Sequence, residues 1–482
     1  MGETSVRKQP SLSWVLALTA AAALIVALDQ LVVATAAQTI RDDLNASLAG
    51  LEWTVSAFSL SFAALIIPCA DLGDRIGRKR TYLIGLVLFA LASIACALAP
   101  TIGLLITARV FQGIGAALIS PAALALLTAA TPPARRGAVM GVYAAVMGLA
   151  VVGGPLVGGA VAEGLAWQWI FWINLPVIAL VAPLSAVKLT EMKGGPARTP
   201  DLVGLVLITA SMFGITWGLV RSGPAGWDSG EVATTLIGGA VLLVGFVRWE
   251  LRAPNPMLPM RLFADRAFSA GNASTFLLTA SLFSTVFFFA QYLQVSLGNS
   301  PVESGLRYLP WTFLLFVIPP IAGRLQDWIG PRWLISVGLT LQGAGMLWLA
   351  HNAGQHDGYS SSVAALIIAG AGTSMALPAQ QSAVMMSAPP PLMGKAAGTF
   401  NTVRQLGGAL GIAVLAAVFA AHGTEQSPEG FADGFAAAMV AAALMALAGA
   451  VTGLFAPGRR PAPVAPAATS AVAPAPEGVH AR

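Results

Sequence analysis

Charge is scarce in this 482-residue chain. Asp, Glu, Lys and Arg together make up 10% of it, against about a quarter in an ordinary soluble chain. That is too little to coat a water-soluble surface of this size. Cysteine is nearly absent: only Cys69 and Cys96 occur, near opposite ends of two neighbouring apolar runs, so neither a disulfide nor a metal cluster is expected. The four histidines (His351, His356, His422 and His480) lie at the edges of the apolar runs or outside them, and no His or carboxylate constellation suggests a membrane-integral enzyme. There is no GxxxxGK[ST] loop to cradle phosphates, so ATP hydrolysis is not expected, and no cofactor is implied. The basic residues that give the net charge of +5 sit in short loops between apolar runs, which argues against nucleic acid as a partner.

Long apolar runs are abundant. The chain is 56% hydrophobic, with a mean hydropathy of +0.76. A helix needs about 20 apolar residues to cross a bilayer. Fourteen runs of about that length are expected, at 14–37, 51–70, 81–99, 103–127, 137–162, 169–187, 202–220, 232–249, 268–292, 305–323, 333–351, 363–385, 396–420 and 434–456. The first run is too long for a signal peptide and many follow it, so it reads as an uncleaved span despite Ala34-Thr35-Ala36. With residues 1–13 in the cytoplasm, 21 of the 26 cations fall on the cytoplasmic side, as the positive-inside rule requires. Only Arg41, Arg221 and Arg307 fall outside, while Asp42, Asp43, Asp228, Glu231 and Glu425 collect in the outer loops. The Ala/Pro-rich tail, 457–482, lacks apolar periodicity and reads as disordered and cytoplasmic.

An internal repeat organises these runs. Asp74 and Asp327 are 253 residues apart, and the same offset relates Gly77 to Gly330, Gly154 to Gly407 and Gly158 to Gly411. The expected fold is therefore an all-α polytopic membrane protein of two six-helix bundles related by a parallel repeat, plus two inserted helices. The bundles are expected at 14–187 and 268–456, with the inserted pair in a linker at 188–267.

Three stretches stand out chemically. The charged turn Asp71-Leu72-Gly73-Asp74-Arg75-Ile76-Gly77-Arg78-Lys79-Arg80 joins the second and third runs. Gly77 suits a tight turn, and Lys79 and Arg80 suit headgroup anchoring, but a carboxylate at Asp74 adds nothing to anchoring. Arg109 lies inside the fourth run, where a cation costs at least about 2.5–3.5 kcal/mol and so needs a partner or a wet cavity. Asp29 is the natural partner. At 1.5 Å per residue both lie about 9–12 Å below the outer face. A depth match allows either a static ion pair or a proton-exchanging one, since burial disfavours a charged carboxylate and a nearby cation favours it. The fifth run carries Gly148, Gly153, Gly154, Pro155, Gly158 and Gly159, which permit close helix approach and a kink.

These stretches resemble the major facilitator superfamily. The turn from Ala70 to Lys79 is similar to its loop pattern GxLaDrxGrkxxl, with Ala70 in place of the first Gly, and Gly323–Arg332 (GRLQDWIGPR) is a weaker copy. Arg109 to Ala117 resembles the family's RxxqGxgaa stretch, associated with proton coupling. Gly154, Pro155, Gly158 and Gly159 resemble the GPxxGG motif of its antiporters. Trp167 to Pro176 (WQWIFWINLP), Leu28 to Val33 (LDQLVV) and Asn401, Arg404 and Gln405 in FNTVRQLGGALG resemble the fourteen-span drug:proton antiporter branch.

The resemblance implies proton-coupled efflux of amphipathic drugs or secondary-metabolite antibiotics, by alternating access, from a monomer in a bacterial cytoplasmic membrane. The proton gradient would supply the energy, and lipid would surround the chain. Proton coupling would rest on Asp29 and Arg109, and a cytoplasmic gate on Asp74, Arg75, Gly77, Arg78, Asp327 and Gly330. Gln112, Phe287, Gln291, Trp311, Asn401 and Arg404 are candidates for a substrate pocket; Phe287 and Trp311 equally suit core or lipid contact, and Arg404 equally suits a gate or a structural pair. Transport of another solute, such as a nutrient or siderophore, and a non-transporting membrane sensor remain open as alternatives.

Overall fold

The computed structural model describes residues 11–132, 135–192, 201–258, 260–356, 358–389 and 392–458. Most of the expected amino-terminal segment and carboxy-terminal tail lies outside these residues, as do Lys193 and Arg198. Every regular element among them is a helix. In chain order the long ones are α1 (Leu12–Leu44), α2 (Leu48–Ile76), α3 (Arg78–Ala97), α4 (Ile102–Ala130), α5 (Arg136–Gly164), α6 (Trp169–Lys188), α7 (Leu202–Ala225), α8 (Gly230–Glu250), α9 (Arg266–Val295), α10 (Pro301–Gln326), α11 (Pro331–Gly354), α12 (Tyr359–Ser387), α13 (Met393–His422) and α14 (Pro428–Gly453). Thirteen helices among the described residues are long and apolar enough to cross a membrane. The 29-residue α5 is a helix outside that set.

Several helices outrun their apolar cores. α1 continues to Leu44, so Arg41, Asp42 and Asp43 lie in its last turns rather than in an outer loop. The extra turns keep backbone groups paired until Asn45 ends the helix in the left-handed region (φ 48°) and donates its N–H to Arg41 O. Side-chain caps start other helices: Ser47 accepts from Gly50 N, Thr101 from Leu104 N, and Ser300 and Glu303 form a reciprocal capping box. α10 is broken into three segments, Pro301–Arg307, Leu309–Thr312 and Leu314–Ile329, and Pro310, Pro319 and Pro320 each remove a backbone donor there.

The packing order recurs in both halves. α1 lies on α5, α2 on α4, α3 on α4 and α3 on α6; correspondingly α9 lies on α13, α10 on α12, α11 on α12 and α11 on α14. The inserted α7 and α8 pack on each other, and α7 also touches α2 and α13. The two turns singled out by the repeat share a backbone shape. Gly77 (φ 111°) and Gly330 (φ 80°) each end one helix and begin the next in a region that disfavours side chains. Cys69 and Cys96 are both buried free thiols.

The glycines of α5 set its approach to the neighbouring helices. A Cβ on Gly154 would stand 2.7 Å from Leu31 Cβ, and one on Gly158 would stand 2.7 Å from Val32 O and would also meet Thr35 Oγ1. Gly407 and Gly411 do the same for α13 against Phe276 and Ala280 of α9. Gly158→Ala should therefore lower the thermal unfolding midpoint of the purified protein, by an overpacking cost of about 1–3 kcal/mol. Gly153→Ala, with nothing within 4 Å of the added methyl group, should leave the midpoint unchanged or raise it.

Candidate functional site

The deepest polar cluster gathers on the fourth helix. Close contact of Gly113 with Phe58 O (2.5 Å for an added Cβ) and of Gly115 with Phe89 N (2.9 Å) presses α4 against α2 and α3. That seating leaves Arg109 and Gln112, one turn apart, facing the interior, and both are 0% exposed. Arg109 Nη1 donates to Asp29 Oδ2, in a short ion pair, and to Gln112 Oε1 at 2.7 Å. Its Nε donates to Thr54 O at 3.0 Å, and its guanidinium lies 4.4 Å from the Phe58 ring centroid and 5.9 Å from that of Phe171.

The second carboxylate oxygen is satisfied as fully. Asp29 Oδ1 accepts from Gln112 Nε2 at 2.8 Å and from Asn174 Nδ2 at 2.9 Å. Ser93 Oγ accepts from the same two amides, at 2.9 and 3.3 Å. Residues of α1, α2, α3, α4 and α6 thus meet at one buried charge pair. Arg109 Nη2 alone is left without a partner. Depth matching anticipated the pair of Asp29 and Arg109. It did not anticipate Ser93, whose only sequence signal is a polar residue inside an apolar run, or Asn174, whose signal is its place in the WQWIFWINLP stretch. Gln112, read from the sequence as a pocket residue, instead belongs to this network.

The second half holds an uncharged counterpart. Gln342 on α11 donates to Ser281 Oγ on α9 at 3.0 Å and accepts from Thr373 Oγ1 on α12 at 3.2 Å.

The other candidate residues are dispersed. Asp74 pairs with Arg78 one turn on, at 3.0 Å, and Glu191 accepts from the backbone N–H groups of Lys79 and Arg80. Arg75 Nε is buried without a partner. The side chain of Asp327 lies outside the described residues. Gly159 and Pro155 face α10: a Cβ on Gly159 would meet Pro301 O, and one on Gly305 would stand 2.5 Å from Pro155 O. Phe287 and Trp311 are buried in the core, each 1% exposed. Gln291 Nε2 reaches Phe287 O at 3.4 Å, its Oε1 has no partner, and Asn401 Nδ2 donates to Ala397 O at 3.0 Å. Arg404 lies within electrostatic reach of Tyr143 across the interface between the halves. Gln168 of the WQWIFWINLP stretch donates to Asp43 Oδ2 at 3.4 Å, beside Trp167 Nε1 at 2.7 Å.

Contacts between the halves concentrate at the end opposite the Gly77 turn. Arg41 of α1 forms a short ion pair with Glu425 of the α13–α14 loop. Gln294 Nε2 donates to Thr35 O at 2.9 Å, and Val302 N donates to Glu163 Oε2 at 3.0 Å. An apolar cluster joins Val32, Ala36 and Ile40 to Phe287, Leu293 and Phe435. At mid-depth Gln30 Nε2 donates to Gln405 Oε1 at 3.2 Å, and Thr402 Oγ1 donates to Ala63 O at 3.3 Å. A cavity of about 430 Å³ lies between α2, α4, α7 and α13, walled by Trp53, Leu60, Met212, Phe213, Trp217 and Leu406 among others. None of the candidate pocket residues lines it.

A buried pair that loses one member strands the other charge, at a cost of about 3–5 kcal/mol. Arg109→Met should therefore lower the unfolding midpoint in detergent substantially. Adding Asp29→Asn to it should recover part of that loss, because no unpaired anion then remains; circular dichroism during heating reads both.

The family model of the Major Facilitator Superfamily matches residues 19–412 and 271–476. The chain is 33% identical over 395 residues to a tetracenomycin C resistance and export protein of Streptomyces glaucescens, covering 81% of this chain and 73% of that one. It is 35% identical over 408 residues to a puromycin resistance protein of Streptomyces alboniger, covering 83% and 80%. A multidrug resistance protein of Mycobacterium tuberculosis is 33% identical over 389 residues, covering 80% and 72%. Among solved structures, an inward-facing bacterial homologue of the lysosomal transporter Spinster superposes with a TM-score of 0.66 at 18% identity, covering 93% of this chain and 97% of that one. A peptide transporter crystallised with sulfate gives 0.67 at 16% identity, covering 93% and 96%. The helices, their repeated packing order and these matches together make the chain a multi-pass membrane protein that belongs to the major facilitator superfamily.

Proposed function

We propose that this protein exports amphipathic drugs or secondary-metabolite antibiotics in exchange for protons, by alternating access. The observation that carries the proton part is the Asp29 carboxylate of α1, 1% exposed and held by Arg109 and Gln112 of α4 and by Asn174 of α6. A carboxylate whose partners lie on separate helices changes its surroundings whenever those helices shift, so its proton affinity follows conformation. Arg109 is then free to hold Gln112 and Thr54 O when Asp29 is neutral. The export direction rests on the likeness to the tetracenomycin C resistance and export protein of Streptomyces glaucescens and on the α5 glycines, which pack α5 tightly against both α1 and α10.

We read the chain as fourteen-spanning, counting α5 with the other thirteen long helices, with both termini in the cytoplasm and acting as a monomer. The two bundles are 14–187 and 268–456, joined by the linker 188–267 that carries the inserted pair. With the Gly77 turn in the cytoplasm, the contacts of Arg41, Glu163, Gln294 and Gly159 close the outer side. Asp74 then pairs locally with Arg78, and it would exchange that partner when the cytoplasmic side closes. Arg404 and Gln405 of α13, with Gln30 of α1, face the path between the bundles.

Purified protein in vesicles with an imposed pH gradient tests the reading. Uptake of a labelled dye or antibiotic into acid-inside vesicles should be gradient-dependent. Asp29→Asn should reduce the gradient-driven rate at least about tenfold, a loss of about 1.4 kcal/mol of coupling or more, while leaving equilibrium dye binding measurable. Transport by Asp29→Asn equal to the parent's would refute the coupling role. Ligand binding without flux in the parent protein would favour a sensor.

A second prediction concerns the outer closure. Glu425→Gln removes the partly buried ion pair with Arg41 at the rim, where a solvent-accessible pair contributes about 0–1 kcal/mol. It should shift the population toward the outward-open state modestly, read as faster labelling of a cysteine introduced at Thr35.

A further inference from the structure

The inserted helices carry a second buried acidic site, at the end of the molecule that holds the Gly77 turn. Asp201 caps the start of α7, and Glu250 is the last residue of α8, so the hairpin brings the two carboxyl groups together at its open end. Glu250 is 3% exposed. One oxygen of each group is well satisfied. Asp201 Oδ1 accepts from Gly204 N at 2.8 Å and from Trp249 Nε1 at 2.7 Å, and Glu250 Oε2 accepts from Leu258 N at 3.1 Å.

The other two oxygens, Asp201 Oδ2 and Glu250 Oε1, are buried with no donor. Both converge on the same spot over Gly204, where an added Cβ would stand 2.7 Å from Oδ2 and 2.6 Å from Oε1. The two carboxyl groups are within hydrogen-bonding reach of each other. Two facing carboxylate oxygens repel when both are charged, and neither can donate to the other unless one carries a proton. Asp201 Oδ1 accepts two N–H bonds at the positive end of α7, whereas Glu250 Oε2 accepts one.

The charged groups on the surrounding elements have other engagements. Arg248 and Arg252 are exposed, Lys395 on α13 donates to Pro256 O at 2.8 Å, Asp74 on α2 pairs with Arg78, and Asp71 on α2 makes a contact of its own.

We propose that Asp201 and Glu250 form a proton-binding site separate from Asp29, in which Glu250 Oε1 carries one proton and donates it to Asp201 Oδ2. The shared proton ties the start of α7 to the end of α8. Through Leu258 N it also ties them to the connection that buries Met257 and Leu258 against the first bundle and leads to α9. Loss of that proton sets two anions face to face, so the tie weakens as pH rises. The inserted pair would thus respond to cytoplasmic pH in the proposed orientation, whatever solute the chain carries.

Infrared difference spectroscopy of the full-length protein in lipid vesicles tests this directly. In a background that carries Asp29→Asn and Glu52→Gln, which removes the other buried carboxyl groups of α1 and α2, a protonated-carboxyl C=O band should persist at neutral pH, vanish on alkalinisation, and be absent from both Glu250→Gln and Asp201→Asn. The unfolding midpoint of the otherwise unchanged protein should fall as pH rises from neutral to mildly alkaline. Glu250→Gln, whose amide can still donate to Asp201 Oδ2, should show a clearly smaller fall. If either variant fails to fold, the other carries the comparison. A C=O band unaltered by both substitutions would overturn the proposal, as would midpoints that fall in parallel with pH. So would a carboxylate band that shifts with added sodium, potassium or magnesium, which would assign the site to a metal cation.

Discussion

A guanidinium and a carboxylate buried among apolar helices impose the strictest demand on this fold. Each alone would be expelled from the bilayer interior, so Arg109 and Asp29 are tenable only together and only if their remaining donors and lone pairs find partners. Five helices of the first half supply them. Thr54, Ser93, Gln112 and Asn174 close the network, and Phe58 and Phe171 cover the guanidinium faces. The close helix crossings at Gly113 and Gly115 serve the same end, because they bring α2 and α3 within reach of the pair.

The two halves share an architecture but not this chemistry. The second half repeats the helix packing order and the glycine-mediated crossing of its first and fifth helices, yet its buried polar node is the neutral set Gln342, Ser281 and Thr373. The buried ion pair is thereby confined to one bundle, while the second supplies a hydrophobic and aromatic wall around Phe288, Tyr292, Tyr308 and Phe435. A repeat that conserves packing and diverges in polarity gives the interface between the bundles two unlike faces.

Movement between the bundles has few polar attachments to break. The contacts at the closed end combine one rim ion pair, two hydrogen bonds to backbone groups and the glycine crossing of α5 with α10. From mid-depth toward the Gly77 end the α2–α13 contact is made by Ala63 with Thr402 and by Gly398 with Ile67. Such contacts tolerate rocking better than interlocked large side chains would. The inserted pair stands beside this hinge, with α7 against both α2 and α13 and an apolar cavity between them.

The sequence by itself determined the all-helical membrane class, the order of the long apolar segments and their parallel repeat, and it set Asp29 and Arg109 at one level along their helices. These follow from hydrophobicity and rise per residue, which act along the chain and need no knowledge of neighbours. Only the tertiary structure decided which polar groups meet. Gln112 and Asn174 turn toward Asp29, Phe287 and Trp311 turn into the core, and Asp201 meets Glu250 across a hairpin of about 50 residues. Helices that are apolar on every side carry no amphipathic stripe to announce which face turns inward. Rotation about each axis is set by side-chain packing and by the need to satisfy each buried polar atom, and both are properties of the assembled bundle.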